Sequence, residues 1–323
     1  MVAPPPRSLR RAGLQTTCRN IPPMPERMKI GVQLPEVERE VRWPEIRDIA
    51  RTVESVGFDS LWLGDHLLFR DPVYGDRGPW EAWSLLAALG EATERVSIGP
   101  LVAATSFHNP AMIAKKAATV DEISGGRLIL GLGAGWNQAE YEAYGFPYDS
   151  RVSRFGEAFH IIRTLIREGS IDHAGRFYVH REMELLPRAR PDIPLMIGSN
   201  GPRMLRIAAP DIDMWNTWYT GFDNHPDGLE PLVEELEAAC RDVGRDPSTI
   251  GRSAAVYVQV GGGAGRVAGS SERPEVAPIS GSRAEMAEAL SGFVGAGMDH
   301  IQIVLDPIDA RAVQELGEVL ALM

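Results

Sequence analysis

From Met28 onward the chain repeats one pattern eight times: a short apolar run rich in β-branched residues, then a longer stretch with helical periodicity. Strands separated by helices pair in parallel, so the alternation predicts a parallel sheet wrapped by helices. The strand segments are 29–34, 60–63, 96–103, 128–131, 194–198, 213–215, 254–260 and 300–305. Helical patterns follow at about 43–56, 80–91, 110–123, 154–168, 203–208, 229–243, 283–296 and 309–322. Eight such units predict an α/β fold, a (β/α)8 TIM barrel. Two turns echo one another: VGFDSLWL after the first helix and AGMDHIQIV after the seventh each end a helix at a glycine, Gly57 or Gly297, and place an Asp before the strand. Glycine suits the left-handed cap of a helix.

Spacing is uneven in one place. About sixty residues separate Gly131 from Pro194, where an ordinary unit takes roughly thirty, so an insertion at about 133–193 follows the fourth strand. Its second half, EGSIDHAGRFYVHREMELLPRARPDIP, reads as a β-hairpin or an extended lid. The Gly- and Ser-rich GGGAGRVAGSSERPEVAPISGS after the seventh strand reads as a mobile loop over the site. Residues 1–27 are rich in Pro and Arg, lack apolar periodicity and read as a disordered tail. No apolar stretch follows Arg10 and Arg11, which argues against a twin-arginine signal. Removing the tail leaves 323 − 27 = 296 residues, one decorated barrel over 28–323.

Composition narrows the partners. The net charge of −11, from 33 Lys+Arg against 44 Asp+Glu, argues against nucleic acid and anionic membrane surfaces as the main ligand. No apolar run of ~18 residues occurs, so no membrane span is expected. Cys18 and Cys240 cannot build a disulfide framework or a four-thiolate zinc site, which points to a cytoplasmic protein. The absence of H-E-x-x-H, C-x-x-C and G-x-S-x-G leaves no basis for a metal site or a hydrolase elbow.

In barrels of this type chemistry collects at the C-terminal ends of the strands. Asp65 and His66 end the second strand, and His66 is the best acid/base candidate among the 7 His. Neighbours on a strand point oppositely, so Asp65 is also a candidate for holding backbone. His108 is the second choice, in a segment where Asn109 and Pro110 read as a helix cap. Gly131-Leu132-Gly133-Ala134-Gly135-Trp136 follows an apolar strand and allows close backbone approach to a ligand. A Rossmann fingerprint fails there, because position 136 is Trp and no second βαβ strand follows in time; a plain tight turn is the alternative. Gly198, Ser199, Asn200 and Gly201 precede a helix and form either a phosphate nest or an ordinary turn. Arg151 and Arg154 are further phosphate candidates. Six tryptophans near strand ends, Trp62, Trp80, Trp83, Trp136, Trp215 and Trp218, would suit a flat ring as well as plain packing.

Together these segments resemble the bacterial luciferase-like monooxygenase family, in its flavin- or deazaflavin-dependent oxidoreductase branch. The resemblance runs from Met28 to about Pro307 and is most specific in HNPAMIAKKAATVDEISGGRLILGLGAGW, GFDSLWLGDHL, PLMIGSNGPRMLRIAA and DMWN. It implies a barrel with an insertion after the fourth strand and a cofactor ring in the barrel mouth. It further implies a bulge with a non-proline cis peptide at Pro100-Leu101 or one bond away, so that Pro100 and Leu101 meet the ring. Gly133, Ala134, Gly135 and Trp136 would line the cofactor, and Gly198, Ser199, Asn200 and Gly201 would hold its phosphate. His66, with Asp65, falls beside the reactive ring carbon. An Asp-His pair in place of Glu-His favours coenzyme F420 and hydride transfer over reduced FMN and oxygen, with a catalytically silent flavin-binding barrel as a third reading. A small-molecule substrate, contacted by Gln33, Thr105 and Trp218, and a homodimer are also implied. The proton-donating Glu and phosphate-binding Lys of the family's sugar-phosphate dehydrogenases have no counterpart at Trp136 or within 217–221, which counts against glucose 6-phosphate.

Overall fold

The computed structural model describes residues 27–71, 75–265 and 276–323. The expected tail, apart from Arg27, and residues 266–275 of the glycine-rich loop lie outside the described residues. The barrel strands are β1 (Lys29–Gln33), β2 (Ser60–Leu63), β3 (Ser97–Pro100), β4 (Ala103–Ala104), β5 (Leu130–Gly133), β8 (Leu195–Gly198), β9 (Met214–Trp218), β10 (Gly251–Gln259) and β11 (His300–Asp306). They form one parallel sheet in the order β3-β2-β1-β11-β10-β9-β8-β5-β4. Its two ends, β3 and β4, are successive pieces of one chain segment, and Ile98 bridges to Leu128, so the sheet closes. The eightfold alternation therefore folds as the expected TIM barrel, its third strand split in two.

The outer helices bury narrow stripes at helical spacing. Helix α1 (Trp43–Val56) buries Ile46, Ile49, Ala50 and Val53, and α9 (Ala310–Leu320) buries Ala312, Val313, Leu316 and Val319. Gly57 and Gly297 sit at φ of 104° and 77°, the left-handed turn that their place after a helix predicts. The Asp after each acts on the neighbouring strand: Asp59 accepts from Ile30 N and Asp299 from Arg252 N, both at 2.8 Å. A third copy, not evident in the sequence, has Asp213 accepting from Leu195 N at 2.8 Å. At the start of β2, β9 and β11 a carboxylate thus pairs a strand-end N–H of the preceding parallel strand.

Two strand expectations need correction. The third strand is not continuous over 96–103 but breaks at a cis peptide between Leu101 and Val102, one bond beyond Pro100-Leu101. The fourth lies two residues later than read, at Leu130–Gly133, so Gly131 and Gly133 are strand residues and not a turn. Their missing side chains make room for the broken strand. A Cβ on Gly131 would lie 2.3 Å from the Pro100 carbonyl oxygen, and one on Gly133 would lie 2.7 Å from a Val102 methyl.

The insertion holds α4 (Gln138–Tyr144), which seven residues were too few to announce, then α5 (Arg151–Glu168) and the hairpin β6 (Ser170–Ala174) with β7 (Val179–Glu184). The hairpin is not a lid. It lies along α5, where Glu157 accepts from Phe177 N and Tyr178 N and pairs with His173 at 3.0 Å. The described residues contain no helix long and apolar enough to cross a membrane.

Candidate active site

A cavity of about 510 Å³ opens where strands end: Gln33 closes β1, His66 follows β2, Val102 sits in the break, and Gly133, Gly198 and Trp218 end β5, β8 and β9. Of the residues singled out in the sequence, Asp65, His66, Leu101, Gly133, Ala134, Gly135, Trp136, Gly198, Ser199, Asn200 and Gly201 all reach its wall, with Arg151 from α5. Pro100 does not: it is paired with Leu63 in the sheet and its carbonyl faces Gly131. Thr105 is likewise withdrawn, its hydroxyl donating to Gly133 O at 3.1 Å. Arg154 leans on Asp149 and the Phe177 ring instead. Of the six tryptophans only Trp136 and Trp218 reach this wall; the Trp62 indole donates to Ser60 inside the barrel, and Trp80 lines a separate hollow. The described residues of the loop after Val260 also lie outside the wall.

Val102 shapes one side. Its methyls stand against Gly133 and Gly198, where a Cβ would come within 2.7 Å and 2.9 Å. The same wall also carries polar atoms. Asn200 donates to Thr217 Oγ1 at 2.9 Å, while its buried Oδ1 has no hydrogen-bond partner among the described residues.

Asp65 and His66 serve different neighbours. Asp65 accepts from Ala104 N at 2.9 Å and lies 3.6 Å from His108, so its carboxylate anchors β4 just past the break. The hydrogen-bonded carboxylate of His66 is one that the sequence reading missed: Glu140 on α4, whose oxygens lie 3.0 and 3.1 Å from Nδ1. Glu140 also accepts from Leu67 N and Leu68 N at 2.6 and 3.0 Å, and Asn137 donates to Leu68 O, so α4 holds the His66 loop at several points. Glu36 brings a second carboxylate to within 3.9 Å of Nε2. It can stand there because Gly64 has no side chain; a Cβ would lie 1.9 Å from the Glu36 oxygen. Burial alone would depress the His66 pKa, but Glu36, Glu140 and Asp65 outweigh it and leave the imidazole raised above its usual 6.5. Phe69 and Trp136 pack on the ring at 4.6 and 5.5 Å between centroids. The available signal for Glu140 was an acid four residues beyond Trp136, with Glu142 two residues on as an equal candidate.

The frame of this site is a closed parallel barrel with its cavity at the strand ends. The chain belongs to the luciferase-like monooxygenase family, whose profile matches residues 28–300. It is 30% identical over 221 residues to a 5,10-methylenetetrahydromethanopterin reductase of Archaeoglobus fulgidus, covering 68% of this chain and 60% of that protein. It is 33% identical over 207 residues to an F420-dependent glucose-6-phosphate dehydrogenase of Amycolatopsis mediterranei, covering 62% and 61%. The chain thus spans about three fifths of the length of these relatives. In structure it resembles an F420-dependent secondary alcohol dehydrogenase in complex with an F420-acetone adduct, with TM-score 0.76, 22% identity and coverage of 92% and 99%. Monooxygenase RslO1 of Streptomyces bottropensis gives TM-score 0.72 at 22% identity, with coverage of 91% and 99%. At that identity the two structures speak for the barrel.

Proposed function

We propose that this protein is an oxidoreductase that uses coenzyme F420 to pass hydride to or from a small organic substrate, with His66 moving the accompanying proton. The observation that carries the reading is the cavity itself, whose wall includes both an apolar face built on Val102, Gly133 and Gly198 and a histidine held by carboxylates. The residues fit a deazaflavin: the glycine-backed face suits a flat ring, and the unpartnered Asn200 Oδ1 suits a donor on the ring or its polar chain. The relatives named as F420-dependent or as reducing a pterin support the choice. When bound, such a cofactor gives or accepts a hydride at a ring carbon, and with carbon where a flavin has nitrogen it does not activate oxygen.

The residues of this chain divide the work of that reaction. Val102, Leu101 and Ala134 would hold the ring face and exclude water; Ser199, Asn200, Gly201 and Arg151 would bind the polar chain and phosphate. Asp65 would keep β4 in place beneath them through Ala104 N. His66 would exchange the proton. Gln33 and Trp218 remain on the wall as candidate substrate contacts. The same reading places the protein in the cytoplasm as a homodimer, on the strength of its two thiols and the family resemblance; a single-chain mass in light scattering would remove the dimer.

Titration of the apoprotein with both cofactors tests the proposal. Binding of F420 is expected, and submicromolar FMN binding with no F420 binding would overturn it in favour of an oxygen-using monooxygenase. For His66→Ala a loss of about 10²–10⁴ in kcat/KM is expected, with F420 affinity retained; unchanged turnover would end the role of His66.

A further inference from the structure

We propose that Glu140 is a positioning residue that fixes His66 in its Nδ1–H form, leaving Nε2 as the nitrogen that exchanges a proton with substrate. A carboxylate offers only acceptors, so the ring nitrogen 3.0 Å from it must carry the hydrogen. Glu140 cannot swing away: its side chain is 1% exposed and one oxygen is already held by Leu67 N and Leu68 N. The main chain that carries His66 therefore also orients its partner. Nε2 is left on the side of Glu36, a residue of the same cavity wall. The groups around the ring are Glu36 after β1, Asp65 on its own segment and Glu140 on α4, with Phe69 and Trp136 as uncharged neighbours. All three charges favour the imidazolium.

The role of Nε2 rests on the oxidoreductase reading; the Glu140–His66 link does not. In the reducing direction a bound reduced deazaflavin would supply the hydride, with its two electrons, to the electrophilic carbon of a C=O or C=N bond. The Nε2 proton would go to the oxygen or nitrogen, leaving His66 neutral with its Nδ1–H still on Glu140, and solvent would restore the proton.

The test is ¹⁵N NMR of the apoprotein labelled at histidine, the His66 signals being assigned by their loss in His66→Ala. The parent is expected to show a protonated Nδ1 in neutral His66 and a midpoint above 6.5. Glu140→Gln keeps an acceptor but removes the charge, so the tautomer persists while the midpoint falls by about one pH unit or more. An Nε2–H tautomer in the parent, or an unmoved midpoint in folded Glu140→Gln, would overturn the proposal; the parent tautomer decides it even if the variant does not fold. Fluorescence titration of the parent with F420 separates the two readings: absent binding with the expected tautomer and midpoint removes the cofactor and leaves the Glu140 assignment standing.

Discussion

Several glycines of this protein are set by what stands against them. Gly133 faces Val102 and nothing else within 3.5 Å, so an added methyl meets a single obstacle. Gly133→Ala is expected to cost about 1–3 kcal/mol by overpacking, read as a lower denaturant midpoint, and Val102→Ala in the same chain should restore much of it. A double variant no more stable than the single one would mean that Val102 is not the obstacle. Gly135 is different in kind. Its φ of 74° belongs to glycine, and a Cβ would in addition lie 2.1 Å from the Tyr141 hydroxyl. The run Gly131-Leu132-Gly133-Ala134-Gly135 was legible as a place where backbone must come close, but not what it comes close to. Two of its glycines answer to the third strand, and only the last to a turn.

The parallel strands are joined by a repeated device that holds more than local structure. Asp213 accepts from Leu195 N and also receives Arg167, whose guanidinium donates to the Pro191 and Ile193 carbonyls. Asp213→Ala leaves a strand-end N–H and a largely buried guanidinium short of an acceptor, at an expected cost of about 2–3 kcal/mol. Thermal unfolding checks it, and a midpoint unchanged within error would show that water replaces the carboxylate. Arg127 plays a comparable part between helices, donating to Gly90 O, Thr93 O, Val96 O and Ser124 O. The Gly-x-Asp echo made two of the three carboxylate units visible. Asp213 escaped because no glycine precedes it. Helix α4 escaped because its seven residues are too few to show an apolar stripe.

Two histidines, His300 buried and His66 half-buried, have pKa values shifted in opposite senses and shape the pH response of the molecule. His300 lies inside the barrel, where Ser60 Oγ is 2.8 Å from Nε2, and burial, with Lys29 adding to it, pushes its pKa from 6.5 down to about 3. The unfolded chain takes up this proton near 6.5 while the folded one refuses it to about 3. Stability therefore falls as pH drops through that window, by up to about 1.4 kcal/mol per unit. His300→Gln should flatten the slope of unfolding free energy between pH 6.5 and 4, and an equal slope in both proteins would exclude His300 as its source. His66, raised by its carboxylates, contributes stability present below its unfolded pKa and lost as pH rises through the folded one.

The eightfold alternation of apolar runs and helical stretches sufficed for the barrel, because eight strands that each bury one face under a helix and the other in a shared interior leave a chain of this pattern few alternatives. It also sufficed to place His66 and Gly198 at strand ends, since direction along a strand is a local property. The tertiary structure alone decided which carboxylate meets His66. Asp65 is adjacent in sequence but is turned to Ala104, while Glu140 comes from 74 residues away on a helix too short to announce itself. Partnership in a site depends on which loops the closed sheet brings together, and that distance is not written in the order of residues.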